Sequence, residues 1–213
     1  MSHDSPIAPE GVPFIISAVL ITSLCHYFGW TWATVIFGLT TLFVTWFFRN
    51  PKRNPPPDPK AIISPCDGKV IRIETVEGHE LLPGPLKKIS IFMNVFNVHV
   101  NRIPYDGIIE DIHYYPGQFF SANLDKASTD NERNALIIAL GNGEKMIVIQ
   151  IAGLIARRIV CWVAKGMSVT KGERFGLIRF GSRLDVFLPP RTNVCVQVGD
   201  KVRAGETPIG EMP

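Results

Sequence analysis

The chain has 213 residues, enough for one domain of ordinary size with an appendage. Hydrophobic residues make up 46% and charged residues 19%, which is typical of a globular chain and apolar enough for membrane contact. The net charge of +3 is too small to favour nucleic acid, so no nucleic-acid partner is predicted, and it suits an anionic surface or ligand. The four cysteines show neither CxxC pairs nor metal-ligand spacing, which favours buried free thiols over a disulfide framework and predicts no metal.

The N-terminal segment from Val12 to Phe48 contains no Asp, Glu, Lys or Arg. It exceeds the roughly 20 apolar residues that a membrane-spanning helix needs. It could form one long span or two short helices broken near His26–Trp30, and a hairpin returning to the same face stays open. Arg49, Lys52 and Arg53 follow directly, and such cations mark the cytoplasmic side of a span.

These patterns divide the chain into three parts. Residues 1–50 are predicted to be a hydrophobic membrane anchor or hairpin, and residues 51–60 a stiff Pro-rich linker. Residues 61–213 form the remaining domain. The predicted location is the cell membrane, with that domain on the cytoplasmic side.

After residue 60 the pattern changes to strands. "KVIRIETV" alternates, "KKISIFMNVFNVHVNRI" is rich in β-formers, and two apolar runs flank the hairpin turn Gly141-Asn142-Gly143. Residues 106–133 are less regular and are expected to hold long loops and a short helix. Because no long amphipathic helix is evident, the fold class is predicted to be mainly β (α+β).

The C-terminal part contains two similar runs of short strands and glycine turns, "VCWVAKGMSVTKGERFGLI" and "VCVQVGDKVRAGETPIGEM". They resemble the barrel-sandwich hybrid of biotinyl and lipoyl carrier domains. We therefore expect a barrel-sandwich-like β domain behind an N-terminal hydrophobic helical anchor. Lys201 is a poor match for a carrier lysine, but a non-catalytic membrane adaptor with a lipoyl-like domain stays open as an alternative.

Three places offer reactive side chains. Asp67 lies in a Pro-Cys-Asp-Gly turn, His99 at an alternating position in a predicted strand, and Ser182 after Gly181 in another β-segment. A carboxylate that orients an imidazole, which takes a hydroxyl proton, would form a catalytic relay. The GxSxG pattern of the hydrolase elbow is absent from the sequence around Ser182, which disfavours a conventional serine hydrolase.

The pair Gly181-Ser182 suits a different chemistry. A serine hydroxyl can attack the preceding carbonyl if the peptide bond is held strained and a base is near, and glycine adopts dihedral angles closed to other residues. The resulting ester can eliminate to dehydroalanine, which hydrolyses to a pyruvoyl group. That ketone can do the work otherwise done by pyridoxal phosphate (PLP).

Five motifs in order carry a family resemblance: "SPCDGKV", "FNVHVNRIPYDG", "YYPGQFFSANLDKASTDNER", "QIAGLIARRIVCW" and "RFGSRLDVFLP". From Ile62 to the C-terminus the sequence resembles the phosphatidylserine decarboxylase proenzymes of the short bacterial and archaeal type. The resemblance implies a self-processing carboxy-lyase. Such an enzyme converts phosphatidylserine to phosphatidylethanolamine through a Schiff base on its pyruvoyl group.

The resemblance also implies site residues. The chain would cut itself between Gly181 and Ser182 into a β chain of residues 1–181 and an α chain of residues 182–213. The two chains form a heterodimer, with higher oligomers left open. The covalent pyruvoyl group would derive from Ser182, with no PLP and no metal, while Asp67 and His99 match the family's relay for self-cleavage. Long members carry a second histidine where this chain has Phe96.

The implied partners are a membrane and a phospholipid substrate whose head group carries an amine, a carboxylate and a phosphodiester. Arg183, Arg157 and Arg158 are candidates to pair with the phosphate. The lipid backbone is not fixed, so a pyruvoyl decarboxylase acting on archaetidylserine or on a soluble amine stays open.

Overall fold

The computed structural model describes residues 4–118, 130–153, 158–179 and 181–213. The chain separates into two compact units, Met1–Lys52 and Arg53–Pro213. The predicted division into an anchor, a linker and a third domain, with limits at residues 50 and 60, stays a prediction.

The first unit is a pair of apolar helices. A 3₁₀ turn leads into α1, and a short break separates α1 from α2; the bounds are Pro9–Gly11, Val12–Tyr27 for α1 and Thr31–Phe47 for α2. Gly29 in the break has a φ of 71°, a conformation that glycine adopts without steric cost. The structure therefore has the two-helix form of this segment, broken where the sequence predicted.

The two ends of this helical unit lie together. Ile7 forms an isolated β-bridge with Arg49, and the Asn50 backbone N–H donates to the Pro6 carbonyl over 2.7 Å. The chain therefore enters and leaves the helix pair on one side, as expected for a hairpin that returns to the same face.

The helices of this unit expose apolar side chains. Of the described helices, Pro9–Tyr27 is long and apolar enough to cross a membrane, whereas Thr31–Phe47 is shorter. Trp32 is 83% exposed and Leu42 is 68% exposed. Water would solvate such a surface poorly, so the segment is compatible with membrane association.

The second unit is built from strands. In chain order they are β1 Ala61–Ile63, β2 Gly68–His79, β3 Leu82–Met93, β4 Val100–Arg102, β5 Gly107–Tyr115, β6 Arg133–Ala139, β7 Lys145–Ala152, β8 Ile159–Cys161, β9 Ser168–Val169, β10 Arg174–Ile178, β11 Ser182–Leu188, β12 Asn193–Val194, β13 Lys201–Val202 and β14 Pro208–Glu211.

Among the described residues, eight of these strands form one curled antiparallel sheet in the order β13-β2-β3-β11-β7-β6-β5-β9. Two small sheets, β1-β14-β12 and β4-β10-β8, complete the unit. The predicted fold class, mainly β with an N-terminal apolar helical segment, is confirmed.

Strand β11 lies at the centre of the large sheet and is buried along its whole length. Leu184, Val186 and Leu188 face the main core, whereas Phe187 belongs to a second cluster on the opposite face of the sheet. Full burial of one such aliphatic side chain contributes about 1.5–3 kcal/mol. The register of β11 is therefore fixed from both faces, which also fixes the position of its first residue.

The hairpin predicted at residues 141–143 is confirmed. It joins β6 to β7, and the Gly143 N–H donates to the Leu140 carbonyl over 3.1 Å. Gly143 has a φ of 83°, which explains the glycine in this turn.

Two other predictions need correction. The long β-rich run is interrupted after Met93, because the Asn97 side chain accepts the Asn94 backbone N–H at 2.9 Å and closes a turn. His99 therefore lies just before β4 and not within a strand. Residues Gly107–Tyr115, expected to be irregular, form strand β5, while residues 119–129 lie outside the described part.

Removing residues 1–50 should move the protein from the membrane pellet to the supernatant, because the exposed apolar surface lies on these two helices. Sedimentation of a cell lysate measures this, and the circular-dichroism spectrum should keep its β signature. A truncated protein that still pellets with membranes would show that the remaining unit binds them by itself.

Candidate active site

Gly181 and Ser182 stand where β11 begins. Gly181 has a φ of 71°, in the left-handed region that disfavours residues with a Cβ. Ser182 pairs with Met93 on one side and Ala152 on the other. The Gly-Ser pair thus lies at the start of a strand and not inside one. Gly181 has the left-handed conformation, and Ser182, which follows it, is held by strands on both sides.

Both polar groups of the Gly181 backbone are bound. Its N–H donates to Nε2 of His99 over 3.2 Å, and its carbonyl oxygen accepts the Gly153 N–H over 3.1 Å. The carbonyl belongs to the peptide bond between Gly181 and Ser182. This bond is therefore held in one orientation, with a hydrogen-bond donor on its oxygen.

The imidazole of His99 is oriented from its other side by a backbone group. Nδ1 lies 3.0 Å from the Asn97 carbonyl oxygen, which can only accept a hydrogen bond, so Nδ1 carries the proton. Nε2 then presents its lone pair towards Gly181. Only 1% of the residue is exposed, so this tautomer is protected from water.

Ser182 is fully buried, and its Oγ has no hydrogen-bond partner among the described residues. An unsatisfied buried hydroxyl costs about 1–3 kcal/mol, and such groups call for an explanation in a native fold.

Asp67 is held in a different network from His99. Arg53 donates to both of its carboxylate oxygens, at 3.1 and 2.9 Å, and the Ala204 N–H donates to Oδ1 at 2.8 Å. Arg53 also contacts Glu206 at 3.2 Å. Within the described part of the chain no hydrogen bond joins Asp67 to His99, so this structure brings His99 and the Gly-Ser bond together without the carboxylate.

Neighbouring groups tune the electrostatics of this network. Burial, with Arg174 and Arg53 nearby, lowers the pKa of Arg102 to about 10, so this arginine stays charged at neutral pH. Burial, reinforced by the charges of Asp67 and Asp185, raises the pKa of the Cys66 thiol well above its usual value. Cys66 is therefore not a competing nucleophile, because only the thiolate is reactive.

Of the arginines suggested as phosphate ligands, Arg183 is turned away from Ser182, Arg158 lies beside Arg179, and Arg157 is outside the described residues. Arg183 is 3% exposed, and its guanidinium contacts both oxygens of Asp185 at 2.9 and 3.1 Å. Successive strand residues point to opposite faces, so Arg183 and Ser182 lie on different faces of the sheet. Arg158 is exposed just before β8, and Arg157 falls outside the described residues.

Sequence reasoning missed three participants in this site. Gly153 and Asn97 act through backbone atoms, which leave no side-chain signature. Arg53 lies at the start of the Pro-rich segment, where its charge was attributed to membrane topology. A buried acid normally needs a cation, and that rule could have prompted a search for the partner of Asp67.

Comparison with known proteins supplies the family. A family model described as "Phosphatidylserine decarboxylase" matches residues 40–210. The chain belongs to the phosphatidylserine decarboxylase family. It is 58% identical over 211 residues, 99% of each chain, to the phosphatidylserine decarboxylase proenzyme of Syntrophus aciditrophicus.

Two further relatives carry the same name. The proenzyme of Geobacter metallireducens is 51% identical, and the alignment covers all of this chain and 99% of the relative's chain. The proenzyme of Desulfotalea psychrophila is 49% identical, with 97% of each chain covered. The match thus includes the helical segment as well as the strands, and the expected resemblance is confirmed.

The ion pair between Arg53 and Asp67 can be tested by stability. Both side chains are nearly buried, and loss of one partner from a buried pair leaves an uncompensated charge, which costs about 3–5 kcal/mol. The change Arg53→Gln should therefore lower the free energy of unfolding by about 3 kcal/mol, measured by urea denaturation. Arg53→Lys should cost less, and the exposed Arg191→Gln should leave stability unchanged. An unaltered midpoint in Arg53→Gln would show that the pair contributes nothing.

Proposed function

We propose that the protein cuts itself between Gly181 and Ser182 and that the cut enzyme decarboxylates phosphatidylserine to phosphatidylethanolamine. The observation that supports this most strongly is the bound Gly181 backbone, with Nε2 of His99 at its N–H and the Gly153 N–H at its carbonyl oxygen. The family match supports a decarboxylase that is made as a proenzyme.

Self-cleavage begins when Ser182 Oγ attacks the Gly181 carbonyl carbon. His99 is the base for the hydroxyl proton, because Nε2 is its unprotonated nitrogen and imidazole suits proton transfer near neutral pH. The Nε2 lone pair must first release the Gly181 N–H that it accepts before the cut. As the C–O bond forms, negative charge develops on the carbonyl oxygen, and the Gly153 N–H already donates to that atom. The C–N bond then breaks, and the nitrogen takes up the proton.

The product of these steps is an ester between Gly181 and the Ser182 side chain. Removal of the Ser182 α-proton breaks the Cβ–Oγ bond, which frees the Gly181 carboxylate and leaves dehydroalanine. Addition of water and loss of ammonia give the pyruvoyl group at residue 182. The buried, unpartnered Oγ fits a residue that is consumed in this way.

The pyruvoyl group supplies a ketone that condenses with the substrate amine and accepts the electron pair left by carbon dioxide. The chain contributes the setting for this group. Its carrier, residue 182, is held between β3 and β7 on the core face, among apolar neighbours such as Met93 and Ala152. Such surroundings exclude water from a carboxylate that must lose its charge.

Asp67 keeps its proposed role as the relay partner of His99, although Arg53 holds its carboxylate in the uncut chain described here. The two fragments, Met1–Gly181 and Ser182–Pro213, would stay together as a β and α pair, because β11 is paired on both sides with strands of the larger fragment. Residues 1–50 would hold the enzyme at the membrane, with residues 61–213 in the cytoplasm, as Arg49 and Lys52 indicate.

We expect the purified protein to give two masses under denaturing conditions, with the smaller fragment starting at a pyruvoyl group. Ser182→Ala should stay whole, since it has no nucleophile. His99→Ala should slow cutting by about 100-fold or more, the usual contribution of a general base. A single uncut chain with an ordinary serine at position 182 would rule out the pyruvoyl enzyme.

The decarboxylation has its own test. Cut protein incubated with phosphatidylserine should release the ethanolamine lipid, and added cyanoborohydride should instead attach lipid covalently to the fragment Ser182–Pro213. Mass spectrometry locates the attachment, with Ser182→Ala as the control. Attachment to a lysine, or activity that requires added PLP, would contradict the proposed role of residue 182.

A further inference from the structure

A chain of buried amide side chains lies on the core face of the large sheet, near the start of β11. Gln150 Nε2 donates to Asn101 Oδ1 over 2.8 Å, and Asn134 Nδ2 donates to Gln150 Oε1 over 3.0 Å. Asn101 and Gln150 are completely buried, and Asn134 is 3% exposed. Because Gln150 holds the oxygen of the Asn101 amide, the NH2 group of Asn101 points away from Gln150, at the end of the chain of amides.

The Asn101 amide lies over β11, next to residue 182. Met93 in β3 is directly opposite Ser182, and Gln150 in β7 is directly opposite Leu184. Directly opposed residues of paired strands lie on the same face. The Asn101 amide contacts both flanking strands, because Oδ1 accepts from Gln150 and Nδ2 lies 3.8 Å from Met93 Sδ. It therefore spans β11 on the face to which Ser182 points.

The position of His99 supports this placement independently. His99 and Asn101 are alternate residues at the start of β4. Nε2 of His99 accepts the Gly181 N–H, and Asn101 contacts Met93, which is opposite Ser182. The segment from 99 to 101 thus runs beside the Gly-Ser bond, with the imidazole on one residue and the amide on the next.

The NH2 group of Asn101 lacks a good acceptor in the uncut chain. It carries two donor hydrogens, and its hydrogen-bond partner among the described residues is Met93 Sδ, a weak acceptor. A buried donor without a proper acceptor costs about 1–3 kcal/mol. Ser182 Oγ, on the same face, has no hydrogen-bond partner in the described part of the chain. Two poorly satisfied polar groups therefore lie beside each other at residue 182.

We propose that Asn101 donates a hydrogen bond to the carbonyl oxygen that self-cleavage creates on the α-carbon of residue 182, and that Gln150 positions it. This inference rests on the proposed function and assigns a further catalytic residue to it. Cleavage carries Oγ away with Gly181 and leaves the new carbonyl at residue 182. The buried donor of Asn101 then gains the acceptor that the uncut chain does not offer.

This hydrogen bond would assist the first step on the substrate. When the substrate amine adds to the carbonyl carbon, the electron pair of the C=O π bond moves onto the oxygen. A fixed donor stabilises the negative charge that develops there. The oxygen then leaves as water, with both hydrogens supplied by the amine, so Asn101 itself gives up no proton.

The test uses the full-length cut protein and phenylhydrazine, which condenses with a ketone, releases water and gives an absorbing hydrazone. Asn101→Leu keeps the approximate shape and removes the donor. We expect complete self-cleavage, because Asn101 bonds neither His99 nor the Gly181 carbonyl. The rate constant for hydrazone formation and kcat with phosphatidylserine should both fall about 100-fold, the usual effect of losing one such donor.

Two further variants distinguish a hydrogen bond from packing. Asn101→Asp keeps the shape and loses the donor when ionised, but a protonated carboxyl can donate. Burial raises the pKa of a carboxyl group, so its deficit relative to the wild type should shrink between about pH 8 and about pH 5. Gln150→Leu should give a smaller fall in the hydrazone rate. Ser64→Ala removes a buried hydrogen bond outside these amides and should match the wild type.

The outcomes separate this inference from the function on which it rests. A wild-type protein that neither cuts nor forms a hydrazone would refute the proposed function. A wild-type protein that does both, with a hydrazone rate in Asn101→Leu within about twofold, would refute only the role of Asn101. Failure of Asn101→Leu to cut while it stays folded would also overturn that role. If leucine unfolds the protein, the pH dependence of Asn101→Asp decides, and a deficit that does not change with pH contradicts the hydrogen bond.

Discussion

The hydrogen bonds on the two sides of Gly181 are the constraint on which the proposed chemistry depends. One fixes His99 beside the Gly181 N–H, and the other fixes the Gly153 N–H on the carbonyl that Ser182 would attack. Neither bond would hold its geometry if β11 could shift along its neighbours. The apolar clusters on both faces of the sheet prevent such a shift, since a slip by one residue would turn Ser182 away from the core.

Backbone conformation and packing have complementary roles at this bond. Gly181 adopts a left-handed backbone conformation, and the next residue enters a strand that is paired on both sides. A peptide bond between a turn and a rigid strand cannot relax away from the neighbouring imidazole of His99. The bond at Gly181-Ser182 is therefore the point of the chain where local conformation, a buried hydroxyl and an imidazole meet.

The structural features that could be predicted are those set by residues close together in the sequence. The turn at Gly141-Asn142-Gly143 and the predominance of strands follow from local residue types and were confirmed. Of the two forms left open for the N-terminal segment, the structure has the one broken near His26–Trp30. His99 was misplaced within a strand because the side-chain bonds of Asn94 and Asn97, which end β3, are not visible as periodicity.

Long-range partners were beyond sequence reasoning for a physical reason. The contact of Gly153 with Gly181 joins backbone atoms of distant residues, so neither residue type records it. The hydrogen bond between Gln150 and Asn101 joins residues that are 49 positions apart in the sequence. The hydrogen bond between Arg183 and Asp185 could have been predicted from the sequence, because alternate residues of a strand lie on the same face.

The most direct test of the account is to trap the ester that Ser182 forms with Gly181. Freshly made precursor treated with hydroxylamine should split into one fragment that ends in a Gly181 hydroxamate and another that begins with unmodified Ser182. His99→Ala should give neither fragment. Mass spectrometry that finds the hydroxamate at another residue, or equal splitting in His99→Ala, would contradict attack by Ser182 with His99 as its base.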